Sequence, residues 1–334
     1  MRRAGNLYHE IAGRENLLEA FRKAARGKRA DESVVAFSAD FETRIEELRR
    51  QILTGRFDLG HHSFFTIHDP KTRRICAPSF AERVLHHAVM NVCEPVFESF
   101  QIHDSYACRK GKGGERAVAR ARQFAGQNAW YLKLDIAHYF DSIDHKTALR
   151  LLARRFKDAE LLELFARLLD SYHTEPGKGV PIGSLFSQHL ANYYLAFLDH
   201  WLKEERQAKA YIRYMDDFVL FADSKDILTR QLAAIREYLG DNLLLTLKGN
   251  IQINRTELGL PFLGFRIFPG HVRLLARSKY RFSRKFREYE RSYLAGLLSE
   301  RELAPRMQAL TAFVDRADSL AWRRRCIGHF GVLS

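Results

Sequence analysis

Two adjacent aspartates, Asp216 and Asp217, interrupt the apolar run "RYMDDFVLFAD" (213–223), and a third, Asp135, closes "WYLKLD" (130–135). Burying an unpaired carboxylate is costly, so acids among such residues need a partner. The segments around the pair read as strands, Tyr211–Met215 and Phe218–Ala222, with the acids at the turn, and Trp130–Ile136 reads as a third strand. If these strands are neighbours in one sheet, three carboxylates meet at its edge. Each then raises the others' pKa unless a cation intervenes. An oxygen-only donor set suits hard Mg²⁺. Two such ions about 3.5–4 Å apart suit phosphoryl transfer, because they stabilise both the attacking and the leaving oxygen. An isolated Asp-Asp pair would be only a solvated turn, so the flanking sequence must decide.

The elements that would position these acids can be traced along the chain. Residues 14–26 form an amphipathic pattern with Leu17, Leu18, Phe21 and Ala25 on one face, and 40–54 suggest a second helix. "SFFTIHDPKTRRICAP" reads as a hairpin, Phe64–His68 and Arg74–Ala77, turning at Asp69-Pro70. Residues 80–100, 145–172 and 187–206 are helical in pattern. A helix over 226–239 is expected to stop at Gly240, followed by one strand in "LLLTLK" (243–248) and one in "LPFLGFRIF" (260–268). The class expected from this order is α+β with a central antiparallel sheet.

Composition narrows the partners. Apolar residues make up 46% of the 334, enough to exclude a largely disordered chain. Lysine and arginine number 54 against 40 acids, a net charge of +14 that favours a polyanion such as nucleic acid. The segment 270–334 holds 14 of these cations and 6 acids, and reads as a separate basic helical part. Four scattered cysteines without a CxxC pair argue against a zinc site or a disulfide framework and suit a reducing cytoplasm. No secretory signal is expected at the start, and no run of about 18 apolar residues suggests a membrane span.

"YMDD" (214–217), with "LKLDIAHYFDSIDH" upstream, resembles the palm of the reverse transcriptases. "PKTRRICAPSFAERVLHHAV" (70–89) resembles that family's fingers motif, and "PIGSLFSQHLANYYL" (181–195) the loop and helix behind the templating pair. "LLLTLKGN" (243–250) resembles the motif carrying a lysine near the leaving group, and "LPFLGFRI" (260–267) the primer-grip region. The resemblance implies a right-hand polymerase fold: N-terminal helices and fingers over 1–128, palm over 129–268 and a basic helical thumb over 269–334. It implies an RNA-directed DNA polymerase using two Mg²⁺ ions, with Mn²⁺ able to substitute. Within the family, "IGSLFSQ" (182–188) is similar to diversity-generating retroelement enzymes, where group II intron enzymes usually carry a PQG-type sequence. "SYACRKGKGG" (105–114), the compact length and the lack of a maturase or endonuclease tail agree with that expectation. Phe186 departs from it, since that group more often has Thr there.

Carried over residue by residue, Asp135, Asp216 and Asp217 bind the metals, with Asp217 more a support than a bridging ligand, and the Ile136 carbonyl adds a ligand. Asp141 and Asp144 fit local caps or turns. Phe140 matches the steric gate that rejects a ribose 2′-hydroxyl. Arg74 matches the fingers arginine on the incoming triphosphate, a task suited to a fork of donors, with Lys71 and Arg73 beside it. Lys248 matches the proton donor to pyrophosphate. Arg109 and Lys110, among glycines before a helix, are expected at backbone or nucleotide phosphates. Ile182, Gly183, Ser187 and Gln188 are expected around the templating base. The C-terminal helices, with Tyr280, Phe282, Phe286 and Tyr289 among cations, are expected to grip duplex in a salt-sensitive way. His61–His62 and His86–His87 read as structural.

The implied partners are an RNA template, a cDNA or primer strand, dNTPs, a structured RNA and a small basic accessory protein, with no membrane. An antiphage or abortive-infection reverse transcriptase is an alternative with the same chemistry. A non-catalytic nucleic-acid-binding module is an alternative of another class.

Overall fold

The structure, a computed structural model, describes residues 3–68 and 72–330. The expected turn at Asp69-Pro70 and the candidate Lys71 lie outside the described residues. The chain divides into two interleaved compact units, Met1–His103 with Asp135–Gln207 and Ala234–Gly249, and Asp104–Leu134 with Ala208–Ala233 and Asn250–Ser334. No described helix is long and apolar enough to cross a membrane.

The first unit is mainly helical. Helix Phe80–Ser99 packs against helices Arg14–Ala25 and Leu185–His200. The 3.6-residue spacing buries Leu17, Ala20, Val84, Leu85, Ala88 and Leu190 on facing sides. Phe97 meets Phe156, Phe165 and Tyr193 at ring-centroid distances of 5.4, 6.4 and 5.2 Å. This unit also contains a hairpin, β1 (His62–Ile67) antiparallel to β2 (Arg73–Pro78).

The second unit contains a four-stranded sheet of β3 (Trp130–Asp135), β4 (Tyr211–Tyr214), β5 (Asp217–Ala222) and β6 (Gln252–Arg255), in the order β4-β5-β3-β6. The pairs β4–β5 and β3–β6 are antiparallel. A smaller antiparallel sheet follows, β7 (Leu260–Phe262), β8 (Phe265–Ile267) and β9 (Val272–Leu274). Phe262, Phe265 and Val272 share one apolar cluster with Phe124 of helix Gly114–Gln127, Ile212 and Val219 of the sheet, and Phe282, Phe286 and Val314 of the C-terminal helices. The basic C-terminal segment therefore forms helices, Ala276–Leu294, Glu300–Val314 and Leu320–Phe330. Phe282 and Phe286 are core, whereas Tyr280 is exposed and Tyr289 half-buried.

Several boundaries differ from the sequence reading. The helix expected over 145–172 is two helices, His145–Leu152 and Ala159–Asp170. Between them Arg155 and Lys157 exchange backbone bonds with Ala4, and the Asp158 carboxylate accepts the Asn6 and Leu7 N–H groups at 2.8 and 2.6 Å. The helix expected to stop at Gly240 runs over Lys225–Leu243. A glycine inside a helix costs only about 1 kcal/mol, and burial of Leu239 and Leu243 on either side of it outweighs that. "LLLTLK" is not a strand. Leu244 takes a left-handed φ of 53° after the helix end, Leu243 and Leu245 are buried by packing, and only Leu247 makes an isolated bridge. "LPFLGFRIF" is two strands folded back at Leu263-Gly264, not one.

Candidate active site

The sequence placed the acidic pair at a hairpin turn, and the structure resolves how that turn is held. Tyr214 pairs with Asp217, which leaves Met215 and Asp216 as a two-residue turn between β4 and β5. Met215 adopts a φ of 58°, a left-handed conformation that persists only where surroundings enforce it. The enforcing group is Arg213. Its side chain is fully buried, and Nη1 donates to the Met215 carbonyl at 3.1 Å. The Arg213 backbone is clamped in turn, its N–H donating to Asp104 O and its carbonyl accepting from Tyr106 N–H, both at 3.0 Å. The "SYACRKGKGG" segment is thus stitched to the strand that leads into the turn. Arg109 lies in that segment, and its Nη1 donates to the Ser105 carbonyl at 2.7 Å. Gly113 (φ 99°) turns the chain into helix Gly114–Gln127 as expected.

Asp217 begins β5, and the Lys133 ammonium lies 2.9 Å from its Oδ1. Lys133 stands two residues before Asp135, on the same face of β3 by the two-residue period of a strand. In the first unit Asp135 makes the corresponding contact with Lys248, whose Nζ reaches Oδ1. The backbone supports that pairing. Lys248 N–H donates to Asp135 O, and Ala137 N–H to Thr246 O, both at 2.8 Å, around an antiparallel bridge between Ile136 and Leu247. Because the flanking residues carry these bonds, the Ile136 carbonyl takes no part in that bridge. Asp144 caps helix His145–Leu152 by accepting Thr147 N–H at 2.7 Å, which agrees with the cap assigned to it. Among the described residues no three His, Cys, Asp or Glu side chains are gathered as a ready metal-ligand group.

The other candidates of the first unit are joined by backbone bonds. Val180 N–H donates to Phe140 O, and Gly179 N–H to Ile143 O, both at 2.9 Å. Two residues on, Ile182 O accepts Cys76 N–H of β2 at 3.0 Å. Gly183 holds a φ of 119°, and a Cβ there would lie 2.9 Å from Ile75 Cγ2 and 3.1 Å from Cys76 O. Glycine is therefore needed for both conformation and close approach. Phe140, Ile182 and Gly183 are thereby tied to the strand carrying Arg74, whose guanidinium lies over the Phe64 ring at 4.2 Å. Ser184 caps helix Leu185–His200, which presents part-buried Gln188 in its first turn, while Ser187 is buried. Phe186 turns away into the core and stacks on Phe165 at 5.5 Å, so the departure at that position is a packing feature of the unit's interior.

Sequence reasoning missed Lys133, Arg213 and Glu82. Each left a signal: a charged residue inside an apolar strand or helix. His62 and His86, read as structural, are buried against the Glu82 carboxylate, with Nε2 atoms 3.4 and 3.7 Å from Oε1. Burial pushes Glu82 up and His86 down to about 3.

The mixed fold with antiparallel sheets carries the Asp-bearing turn in one unit and the stitched loop-and-hairpin assembly in the other. The chain matches the family model "Reverse transcriptase (RNA-dependent DNA polymerase)" over residues 67–267, more than half its length, and belongs to that family. It is similar to protein YkfC of Escherichia coli K12, 25% identical over 286 residues that cover 72% of this chain and 74% of that one. It is also similar to the group II intron-encoded protein LtrA of Lactococcus lactis, 28% identical over 40% of this chain and 23% of that protein. Nuclear intron maturase 4 of Arabidopsis thaliana is 25% identical over 54% of this chain and 24% of that protein. The chain thus spans about a quarter of these two intron-related relatives. Among solved structures, apo telomerase from Candida tropicalis shares the fold, with a TM-score of 0.50 and 12% identity over 71% of this chain and 53% of that one.

Proposed function

We propose that the chain is an RNA-directed DNA polymerase that extends a primer strand with dNTPs on an RNA template. The observation that carries this reading is the stitched assembly of Phe140, Ile182–Gly183 and the Arg74 strand, since it joins three segments far apart in the chain whose residues the family uses at one nucleotide site. Arg74, exposed on its hairpin, is assigned to the triphosphate. Phe140, half-buried edge-on to Tyr139, is assigned to the ribose. Gln188, Ile182, Gly183 and Ser187 are assigned to the templating base.

The donor set fits divalent metal. Its oxygen-only carboxylates are of the kind that suits Mg²⁺, and the Lys133 and Lys248 ammonium groups on Asp217 and Asp135 occupy oxygens that a metal ion would compete for. Asp135, Asp216 and Asp217 would hold two Mg²⁺ or Mn²⁺ ions, with the Ile136 carbonyl beside them. Bound there, the ions would supply charge stabilisation at the reacting phosphate. Lys133 orients Asp217, and Arg213 fixes the turn that presents Asp216. Lys248, held on Asp135, is assigned as the proton source near pyrophosphate.

If Phe140 excludes the 2′-hydroxyl, Phe140→Ala should raise the use of rNTPs relative to dNTPs by about 10–100-fold. Single-nucleotide incorporation assays would show this, and an unchanged ratio would remove Phe140 from that role.

For the biological role we propose error-prone copying in a diversity-generating retroelement with a small basic accessory protein, supported by "IGSLFSQ" (182–188). Sequencing cDNA made in vitro should then show misincorporation concentrated opposite template adenines. An even, low error spectrum would contradict it. A second reading, an RNA-binding role in intron splicing, draws support from the relative called an intron maturase. Splicing stimulated by the chain without cDNA synthesis would favour that reading.

A further inference from the structure

The base of the β1–β2 hairpin and the start of helix Leu185–His200 are linked through a buried polar chain that the proposed chemistry does not use. At its centre is Glu82, in the first turn of helix Phe80–Ser99, with a side chain 1% exposed. Oε2 accepts the Gly60 N–H at 3.2 Å, and Oε1 faces His62 Nε2 and His86 Nε2. His86, one turn further along the helix, places Nδ1 3.3 Å from Ser184 Oγ. Ser184 is 1% exposed, and its Oγ accepts the Ser187 N–H at 3.3 Å.

The donors and acceptors can be assigned by counting. Neutral His86 has one N–H to give. The Ser184 hydroxyl, already accepting from Ser187, has its own proton left to donate, and His86 Nδ1 is the acceptor in reach. That tautomer puts the remaining His86 proton on Nε2, facing the Glu82 carboxylate. The run Ser187 N–H, Ser184 O–H, His86 then points one way, and it meets Glu82 through an electrostatic contact, His86 Nε2–H facing the carboxylate at 3.7 Å, longer than a hydrogen bond. A buried carboxylate among apolar residues is expensive unless such donors surround it, so the arrangement is a specified one. Its outer end is the helix start that bears Gln188, and its inner end is anchored to the hairpin base at Gly60 and His62.

We infer that Glu82 is a positioning residue for the 182–188 loop, acting through His86 and Ser184 on the fit of the incoming nucleotide against the template base. This rests on the polymerase reading given above. Removing the link leaves the stitched backbone in place but frees the cap of helix Leu185–His200. The loss should therefore fall on nucleotide binding and leave the chemical step intact.

The test is a double-mutant cycle of Glu82→Gln and Ser184→Ala, read by two independent measurements on the full chain. Each single variant is expected to raise the KM for dNTP about fivefold with kcat within twofold, and the double variant to be no worse than the worse single, because both cut the same chain. Effects that multiply in the double variant, or that fall on kcat with KM unchanged, would overturn the inference, since two unrelated packing losses behave that way. Hydrogen exchange supplies the second measurement and needs no polymerase activity. Amides of 184–188 should exchange about fivefold faster in each single variant while those of helix Ala159–Asp170 keep their wild-type rates. Unchanged exchange at 184–188 would overturn the inference even if the wild-type chain extends no primer, an outcome that would separately remove the polymerase reading.

Discussion

Asp135→Asn is expected to lower primer extension by about a thousandfold while leaving the fold intact. The size follows from the role assigned to the carboxylate. A metal-assisted phosphoryl transfer draws several kcal/mol of charge stabilisation from its ions, and about 4 kcal/mol is a thousandfold in rate. The small structural cost follows from exposure. The Asp135–Lys248 pair is 19% and 38% exposed, in the range where an ion pair contributes about 1 kcal/mol or less. Rate and stability are thus expected to separate, which distinguishes a ligand from a structural acid. Steady-state extension and a thermal melt on the same preparation would show both. A rate within tenfold of wild type would remove Asp135 from the metal site.

Gly183→Ala is expected to cause the largest stability loss of any single-methyl addition to the loop. The residue's φ of 119° costs a non-glycine residue about 1–3 kcal/mol. The new Cβ would also press on Ile75 Cγ2 and on the Cys76 carbonyl. The carbonyl belongs to β2 backbone and cannot rotate away, and relieving such overpacking costs a further 1–3 kcal/mol or about that. The expected total is about 2–6 kcal/mol in urea unfolding. Gly177→Ala is the matched control, because its φ is 74° and nothing lies within 4 Å of its Cβ. It should lose only the conformational part. Equal losses in the two variants would mean that the contact between the loop and β2 carries no strain.

The parts of this molecule that were legible in the sequence are those with a local cause. The β4–β5 hairpin follows from alternation on either side of a polar pair, and helix Gly114–Gln127 from the glycines before it. The Asp144 cap was readable for the same reason. What could not be read depends on residues distant in the chain. The break at 153–158 exists because Ala4 pairs with residues 155 and 157. The "LLLTLK" segment has the alternation of a strand, yet its leucines are buried by packing at a helix end, with Tyr194 Oη donating to Leu243 O at 2.7 Å. The candidate site divides similarly. The aspartates announced themselves, whereas Lys133 and Arg213 act through contacts that only the folded chain makes. Their one advance signal was charge inside apolar strands. Phe186 was noticed for its type, and only packing shows that it faces Phe165 in the core.

If these aspartates make the chain a polymerase, primer extension shows it. The purified chain and its Asp216→Ala/Asp217→Ala variant would each be incubated with primed RNA, all four dNTPs, and Mg²⁺ or Mn²⁺. Metal-dependent extension is expected of the wild-type chain and none above background of the variant. Equal extension by the two proteins would contradict it.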